Sequence, residues 1–182
     1  MEIIESALNG ILLIQPKVFE DARGYFFESY NNDKYKSIGI DRHFVQSNIS
    51  KSMKNTIRGL HYQSGNFTQG KLCQVIVGKV LDIAVDIRFG SPTFGKYFSS
   101  ILSDENKNQV WIPEGFAHGF SVLSDIAIFE YKCTNVYNKD FEHSILYNDS
   151  ELMIDWKIED PIVSEKDKQA KTISEIEKHF IY

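Results

Sequence analysis

The sequence is poor in cysteine, which limits covalent cross-links and thiolate metal sites. Its 182 residues include only two cysteines, Cys73 and Cys133, far apart and each inside a strand-like run. Two such thiols are too few and too separated for a zinc site. They are more typical of reduced core residues in a cytosolic protein.

Positive charge and long apolar runs are also scarce. The 20 lysines and arginines are outnumbered by 25 aspartates and glutamates, which gives a net charge of −5. An acidic chain is poorly suited to binding nucleic acid, so any anionic ligand should be met by local Arg and Lys. The start MEIIESALNG is acidic where a signal peptide would be basic, and no apolar run is long enough to span a membrane. These features predict a cytoplasmic protein without nucleic-acid or membrane partners.

Aromatic residues, by contrast, are abundant, with 13 Phe, 9 Tyr and 2 Trp. They favour strands over helices, and short strand-like segments broken by turns predict a β-sandwich or barrel. The run KLCQVIVGKVLDIAVDIR predicts a hairpin turning near Gly78, and NDKYKSIGI a short helix closed by Gly39. The tail SEKDKQAKTISEIEKHF predicts a C-terminal helix. Without linkers or internal repeats, residues 1–182 should form one domain.

The stretch IRGLHYQ, residues 57–63, places a histidine where a strand should face its own core. Because neighbouring side chains of a strand face opposite sides, His61 is expected to share a face with Ile57 and Gly59. Such a histidine is either buried, neutral and hydrogen-bonded, or a base that lines a cavity. This strand alone leaves both interpretations open.

Three further polar side chains occupy positions that a purely structural sheet would leave apolar. Lys71 and Tyr131 each alternate with apolar residues, and His118 follows a turn between two phenylalanines. Singly, such a lysine extends to water, such a histidine binds a backbone group, and such a tyrosine packs in the core. Together with His61 they would be costly to bury unless they line a ligand cavity.

Six segments follow one another along the chain: DARGYFFESY, FVQSNISKS, IRGLHYQ, QGKLCQVIVGKVLDIAVDIRFGSPTFGK, LSDENKNQVWIPEGFAHGF and YKCTNVYNKDFEHSILYND. They resemble the dTDP-4-dehydrorhamnose 3,5-epimerase family, from about Ile11 to Asp167. The resemblance implies an all-β, cupin-type jelly-roll barrel with a short C-terminal helix, a homodimer, and a reaction without cofactor or metal. The implied substrate is dTDP-4-dehydro-6-deoxy-D-glucose, inverted at C3 and C5 to dTDP-4-dehydro-L-rhamnose in dTDP-rhamnose biosynthesis.

That reaction gives each inward polar group a task. Both C3 and C5 flank the C4 ketone, so removing either proton yields an enolate stabilised through the same oxygen. By resemblance, His61 is the base and Tyr131 the acid on the opposite face of the sugar. Lys71 matches the cation beside the ketone oxygen. Asp167 matches the carboxylate that orients the base, although a capping box behind Ser164 is an alternative role for it.

The resemblance also implies a set of substrate-binding residues. The arginines suit a diphosphate, Tyr137 stacks on thymine, and the other members meet hydroxyl groups and base edges. The set is Arg23, Glu28, Gln46, Asn48, Arg58, His118, Tyr137, Glu142 and Lys166. Strict alternation places Arg58 and His61 on opposite faces, so either Gly59 introduces a bulge or Arg58 acts at the rim or across the dimer. The strand of Arg23 is likewise expected to reach a partner's site.

Three alternatives accompany this interpretation. A metal-dependent cupin oxygenase or isomerase gathers two or more histidines with a carboxylate, often as a His-x-His pair, and the sequence has no such pair. A non-catalytic sugar-nucleotide-binding barrel would need neither the base nor the acid. Within the family, single-site epimerases and ketoisomerases act on related nucleotide-linked 4-keto sugars. Tyr131 and the intact segment YKCTNVY favour double epimerisation.

Overall fold

The computed structural model describes all 182 residues, Met1–Tyr182, and contains thirteen strands and two short α-helices. The strands are β1 (Glu2–Ala7), β2 (Ile11–Gln15), β3 (Val18–Asp21), β4 (Gly24–Phe27), β5 (Gln46–Met53), β6 (Ile57–Gln63), β7 (Lys71–Val77), β8 (Lys79–Asp86), β9 (Tyr97–Ser103), β10 (Gln109–Ile112), β11 (Phe116–Val122), β12 (Ile126–Cys133) and β13 (Glu142–Ser144). The helices are α1 (Asn32–Ser37) and α2 (Glu165–Lys168). Neither helix has the length and apolar character that crossing a membrane requires.

The strands form two antiparallel sheets and one small ribbon. The six-stranded sheet has the order β1-β2-β10-β7-β12-β5, and the five-stranded sheet has the order β13-β6-β11-β8-β9. Strands β3 and β4 pair only with each other. Fifteen buried apolar residues drawn from both sheets, among them Phe129 and Phe120, pack between the sheets. Each large side chain buried this way stabilises the fold by about 1.5–3 kcal/mol.

A second apolar core lies on the outer side of the five-stranded sheet. Strands β6, β8 and β11 contribute residues such as Leu60 and Ile83, and the C-terminal segment covers them with Leu152, Trp156 and Ile173. This packing brings the C-terminal segment across β6. Helix α2 is thereby placed beside the strand that carries His61.

Two predictions of local structure were wrong. Strands β7 and β8 do not form a hairpin, because β7 belongs to the six-stranded sheet and β8 to the five-stranded one. Gly78 is the point where the chain crosses between the sheets. Its φ is +85°, and a Cβ there would lie 2.1 Å from the carbonyl oxygen of Ile126. Close approach to β12 explains this glycine better than a hairpin turn does.

The C-terminal tail is helical only over α2 and a 3₁₀ turn at Ile173–Glu175. Ile173 and Ile176 are buried against the outer face of the sheet, and this packing overrides the helix propensity of the surrounding Glu, Lys and Ala. The predicted N-terminal helix is confirmed as α1, where Gly39 follows with φ +95° and donates its N–H to Lys36 O. Strands β1 and β13 were not predicted.

Candidate active site

A bulge in β6 decides which of its side chains face the barrel interior. His61 lies opposite His118 on β11, and Arg58 lies opposite Phe120, so three steps on β6 match two steps on β11. Residues directly opposite each other in an antiparallel pair face the same side of the sheet. Arg58 and His61 therefore share the interior face, as Phe120 does in the inner core. The bulge is the first of the explanations that the sequence left open.

The expectation that His61 shares a face with Ile57 and Gly59 was wrong for the same reason. Ile57 belongs to the outer core, on the opposite side of the sheet. Gly59 has φ +127°, and a Cβ there would lie 2.5 Å from Gly119 Cα. The space left by Gly59 is filled by the neighbouring strand and not by a ligand.

A cavity of about 220 Å³ opens beside His61. Strands of both sheets and the loop after β12 line it. Seven of the sequence-predicted site residues are among the lining side chains: Gln46, Asn48, His61, Lys71, Tyr131, Tyr137 and Glu142. Three more that the sequence reasoning missed line it as well: Tyr62, Gln63 and Gln69.

His61 forms a short hydrogen bond with a buried carboxylate. Its Nε2 lies 2.7 Å from Oδ1 of Asp167, which is 3% exposed. A carboxylate can only accept, so Nε2 holds the proton and Nδ1 keeps a lone pair. Burial raises the pKa of Asp167, but the hydrogen bond from His61 and the positive charge that this ring carries when protonated outweigh burial, so the net pKa lies below the ordinary value. Ser164 does cap α2, yet it accepts the backbone N–H of Asp167, while the carboxylate itself bonds His61.

Lys71 and Tyr131 approach the same cavity from two neighbouring strands, β7 and β12. The Nζ of Lys71 donates to the carbonyl oxygen of His61 at 3.4 Å and lies 5.8 Å from the centre of the Tyr131 ring. Burial raises the pKa of Tyr131 to about 12. Its phenol is therefore protonated at neutral pH and can donate a proton. An imidazole, an ammonium group and a phenol thus line one space.

A second recess, about 310 Å³, lies on the other side of His61. Arg58, Lys166 and Asp167 are among its walls. The Nε of Arg58 donates to Ser52 Oγ at 2.9 Å, which fixes the guanidinium at this position. Lys166 forms an ion pair with Glu142, a residue of the first cavity. The recess therefore has two cationic side chains in its walls, and His61 lines it as well.

Tyr137 stands at the outer end of the first cavity. Its backbone N–H donates to Gln46 Oε1 at 2.8 Å, and its hydroxyl donates to Glu142 Oε2 at 3.0 Å. The amide of Gln46 in turn donates to Asn48 Oδ1 at 2.9 Å. Tyr137 is 52% exposed, so part of its surface is accessible to a flat ligand.

Three predicted site residues lie outside both the first cavity and the second recess. His118 occupies the middle of β11, is 6% exposed, and donates from Nε2 to Asp82 Oδ2 at 2.9 Å. Burial lowers its pKa. Arg23 follows β3, is 90% exposed at its side chain and pairs with Asp21. Glu28, beyond β4, pairs with Lys34 at 2.8 Å.

Asp82 is a buried charged residue that the sequence reasoning missed. It interrupts the apolar run VLDIAV of β8, which was the available signal. Its Oδ1 has no hydrogen-bond partner, and its carboxylate lies with His118 and Cys73 in a group whose polar atoms are within 4.8 Å of one another. His118 of this group lies directly opposite His61 in the pairing of β6 with β11.

The chain is similar in sequence and in structure to a family of known proteins. The sequence profile for dTDP-4-dehydrorhamnose 3,5-epimerase matches residues 5–175. The dTDP-4-dehydrorhamnose 3,5-epimerase of Shigella flexneri is 51% identical over 92% of this chain and 93% of that protein. The one of Neisseria gonorrhoeae is 50% identical over 98% of this chain, which spans only 54% of that longer protein.

A solved structure shares the fold over its whole length. It is a dTDP-6-deoxy-D-glucose-3,5-epimerase from Legionella pneumophila Philadelphia 1 in complex with dTDP-4-keto-L-rhamnose. The TM-score is 0.96 at 49% identity, and the alignment covers 100% of this chain and 98% of that one. The predicted all-β, cupin-type barrel is thereby confirmed.

Proposed function

Because the chain belongs to the dTDP-4-dehydrorhamnose 3,5-epimerase family, we propose that the residues gathered around His61 invert both C3 and C5 of its substrate. The activity is that of an isomerase, dTDP-4-dehydrorhamnose 3,5-epimerase, in dTDP-rhamnose biosynthesis. The ligand is a dTDP-linked 4-keto sugar, the class found in the Legionella pneumophila complex. The observation that carries the residue assignment is the His61–Asp167 pair beside Lys71 and Tyr131.

His61 is the base in this proposal. The lone pair on its Nδ1 removes the proton from C3 or C5, both of which are acidified by the C4 ketone. The imidazolium that forms keeps its Nε2–H bonded to Asp167, whose negative charge stabilises it. The same pair serves both carbons, because each proton removal produces negative charge on the same ketone oxygen.

Lys71 stabilises that negative charge. Its ammonium is held in the cavity by the carbonyl oxygen of His61 and needs little reorganisation when the enolate forms. Fixed donors of this kind account for a large part of the rate enhancement in many enzymes. The enolate therefore has a preorganised cation and needs no metal ion.

Tyr131 returns a proton to the carbon that has lost one. Its raised pKa, about 12, keeps the phenol protonated until a strongly basic enolate carbon is present. Delivery from the face opposite His61 inverts the configuration, whereas return from His61 itself restores it. The sugar ring must present C3 and C5 to the same base in turn for both inversions to occur.

The remaining polar side chains are assigned to the nucleotide end of the substrate. Arg58 and Lys166 suit the diphosphate, since guanidinium and ammonium groups bind phosphate oxygens strongly. Tyr137, which is half exposed, is assigned to stacking on thymine. Hydroxyl groups and base edges are assigned to Gln46, Asn48 and Glu142.

A homodimer completes the proposal, because Arg23 and Glu28 do not line the cavity of their own chain. The β3–β4 ribbon pairs with no other strand, and it exposes Phe19, Tyr25 and Phe26. We assign the ribbon to the cavity of a second copy of the chain, with Arg23 at the substrate.

The whole chain, residues 1–182, is one epimerase domain in this proposal. It is located in the cytoplasm, where its two free cysteines stay reduced.

Mixing two inactive variants tests the dimer. If Arg23 serves the partner's cavity, a hybrid of Arg23→Ala and His61→Asn subunits has one cavity with every group intact. Random mixing makes half of the dimers hybrid, so turnover should recover to roughly a quarter of the wild-type value. No recovery from a mixture that light scattering shows to be dimeric would place Arg23 outside the partner's cavity.

The separate roles of His61 and Tyr131 are tested by hydrogen exchange. His61→Asn removes the base, so no deuterium should enter either carbon from deuterated water. Tyr131→Phe keeps the base, so exchange should continue while net inversion falls by about 10² or more. Equal loss of exchange in both variants, with folding intact by circular dichroism, would contradict separate acid and base roles.

A further inference from the structure

Gln63 is a buried amide that connects two loops at the outer end of the cavity. It is the last residue of β6, two positions after His61, and is 4% exposed. Its Nε2 donates to the carbonyl oxygens of Phe67 at 2.8 Å and Val136 at 3.1 Å. Its Oε1 accepts the backbone N–H of Asn138 at 2.7 Å. Two of these three hydrogen bonds hold the residues on either side of Tyr137.

The segment that carries Tyr137 depends on such side-chain contacts. Residues 135–137 make no hydrogen bond with another backbone group. Besides Gln63, the amide of Gln69 donates to Asn135 O at 2.8 Å, and Gln46 accepts the N–H of Tyr137. Three glutamine side chains thus take the place that strand pairing would otherwise have, and Gln63 makes the most bonds of the three.

The Tyr137 ring has little else to fix it. Half of the residue is exposed, and its one side-chain hydrogen bond is to Glu142. The ring's position is therefore set mainly by its backbone, which Gln63 holds to the strand that carries the base. A flexible aromatic must lose conformational freedom when a ligand stacks on it, whereas a fixed one has lost it already.

We propose that Gln63 is a positioning residue for the nucleobase: it fixes Tyr137 at a set distance from His61 and so raises affinity for the thymidine nucleotide. The inference rests on the proposed stacking role of Tyr137. Gln63 acts through Tyr137 and takes no part in proton transfer. Its loss should therefore weaken nucleotide binding and leave the chemical step nearly unchanged.

Gln63→Glu tests this with almost no change in shape. The carboxylate still accepts from Asn138 but places negative oxygen against two carbonyl oxygens, so the loop should separate from β6. We expect the Kd for dTDP and the KM for the keto-sugar to rise about 10-fold or more, with kcat within about 3-fold of wild type. If this variant does not fold, Gln63→Met removes the same bonds without adding charge, and the same change in Kd is expected.

Gln109→Glu is the matched control. Gln109 is also a buried glutamine that does not line the cavity, and its Nε2 donates to the carbonyl oxygen of Ser29 and to Gln74 Oε1. It should lower the melting temperature without changing the Kd for dTDP. If Gln63→Glu lowers only the melting temperature, as this control does, Gln63 is merely structural and the inference is wrong.

A double-mutant cycle with Tyr137→Ala tests whether the effect passes through the ring. We expect Gln63→Glu to weaken dTDP binding in the wild-type background and to add almost nothing in the Tyr137→Ala background. If the two substitutions instead raise the Kd for dTDP by factors that multiply in the double variant, the inference is overturned and the role of Tyr137 stays intact. An unchanged Kd in Tyr137→Ala itself would overturn both the stacking assignment and the inference, while the His61 exchange test would still decide the proposed chemistry.

Discussion

Replacing Asp167 by asparagine changes the proposed catalytic pair by one charge and almost no volume. In the wild type, the carboxylate accepts the Nε2–H of His61 at 2.7 Å and leaves Nδ1 free to accept a proton. The asparagine amide can instead donate to Nε2, which would move the ring proton to Nδ1. A base protonated on the wrong nitrogen cannot remove a substrate proton, so the expected loss lies in kcat.

The magnitudes of the catalytic and structural effects differ enough to separate them. A wrong tautomer and the loss of the stabilising charge should lower kcat by roughly 10²- to 10⁴-fold, or about 3–5 kcal/mol of barrier. The stability loss should be near 1 kcal/mol, because asparagine keeps one hydrogen bond to His61 and Ser164 still caps the helix. That loss corresponds to a shift of about 2–4 °C in melting temperature for a chain of this size.

Steady-state turnover and thermal melting of the same preparation provide the measurement, and Asp149→Asn provides the control. Asp149 is equally buried, accepts the backbone N–H groups of Leu152 and Ile173, and lines neither the cavity nor the second recess. The control should have a lower melting temperature than Asp167→Asn and near-normal turnover. If Asp167→Asn has a lower melting temperature than the wild type and normal turnover, Asp167 only stabilises the helix and His61 lacks its proposed partner.

Two further predictions concern metal ions and acid. Exhaustive chelation should leave turnover unchanged, because Lys71 supplies the positive charge; activity lost in EDTA and restored by a divalent ion would contradict the metal-free mechanism. Acid should destabilise the fold below about pH 6.5, since burial lowers the pKa of His143 below its ordinary 6.5 and the unfolded chain then binds more protons than the folded one. Urea unfolding measured from about pH 7.5 to 5.5 should show that the free energy of unfolding falls as the pH falls. The free energy should fall less steeply with pH in His143→Gln, and an equally steep fall in both proteins would contradict this origin.

Local alternation marked a few of the cavity residues as polar side chains that face inward, and the family resemblance supplied most of the others. Lys71 and Tyr131 alternate with residues that pack in the inner core, and both line the cavity. The same rule failed for His61, whose strand contains a bulge. At the bulge Gly59 lies against Gly119, a residue far away in the chain, so no local pattern shows it.

Other errors have the same physical cause. The pattern around Gly78 fits either a hairpin or a crossing between sheets, and only the pairing of β7 and β8 with distant strands distinguishes them. In the tail, helix propensity is a weak local preference that burial of Ile173 and Ile176 overrides. Gln63 looks like one more polar residue of a strand. Its role depends on loops that follow β6 and β12, and contacts between them are not visible in one sequence.

Isotope incorporation by the wild-type enzyme tests the double epimerisation most directly. The protein is incubated with dTDP-4-dehydro-6-deoxy-D-glucose in deuterated water, and the sugar is examined by NMR at C3 and C5. The assignment of His61, Lys71 and Tyr131 to one cavity that serves both carbons predicts deuterium at both positions, with inverted product accumulating. Deuterium at one carbon only, or at neither, would contradict it.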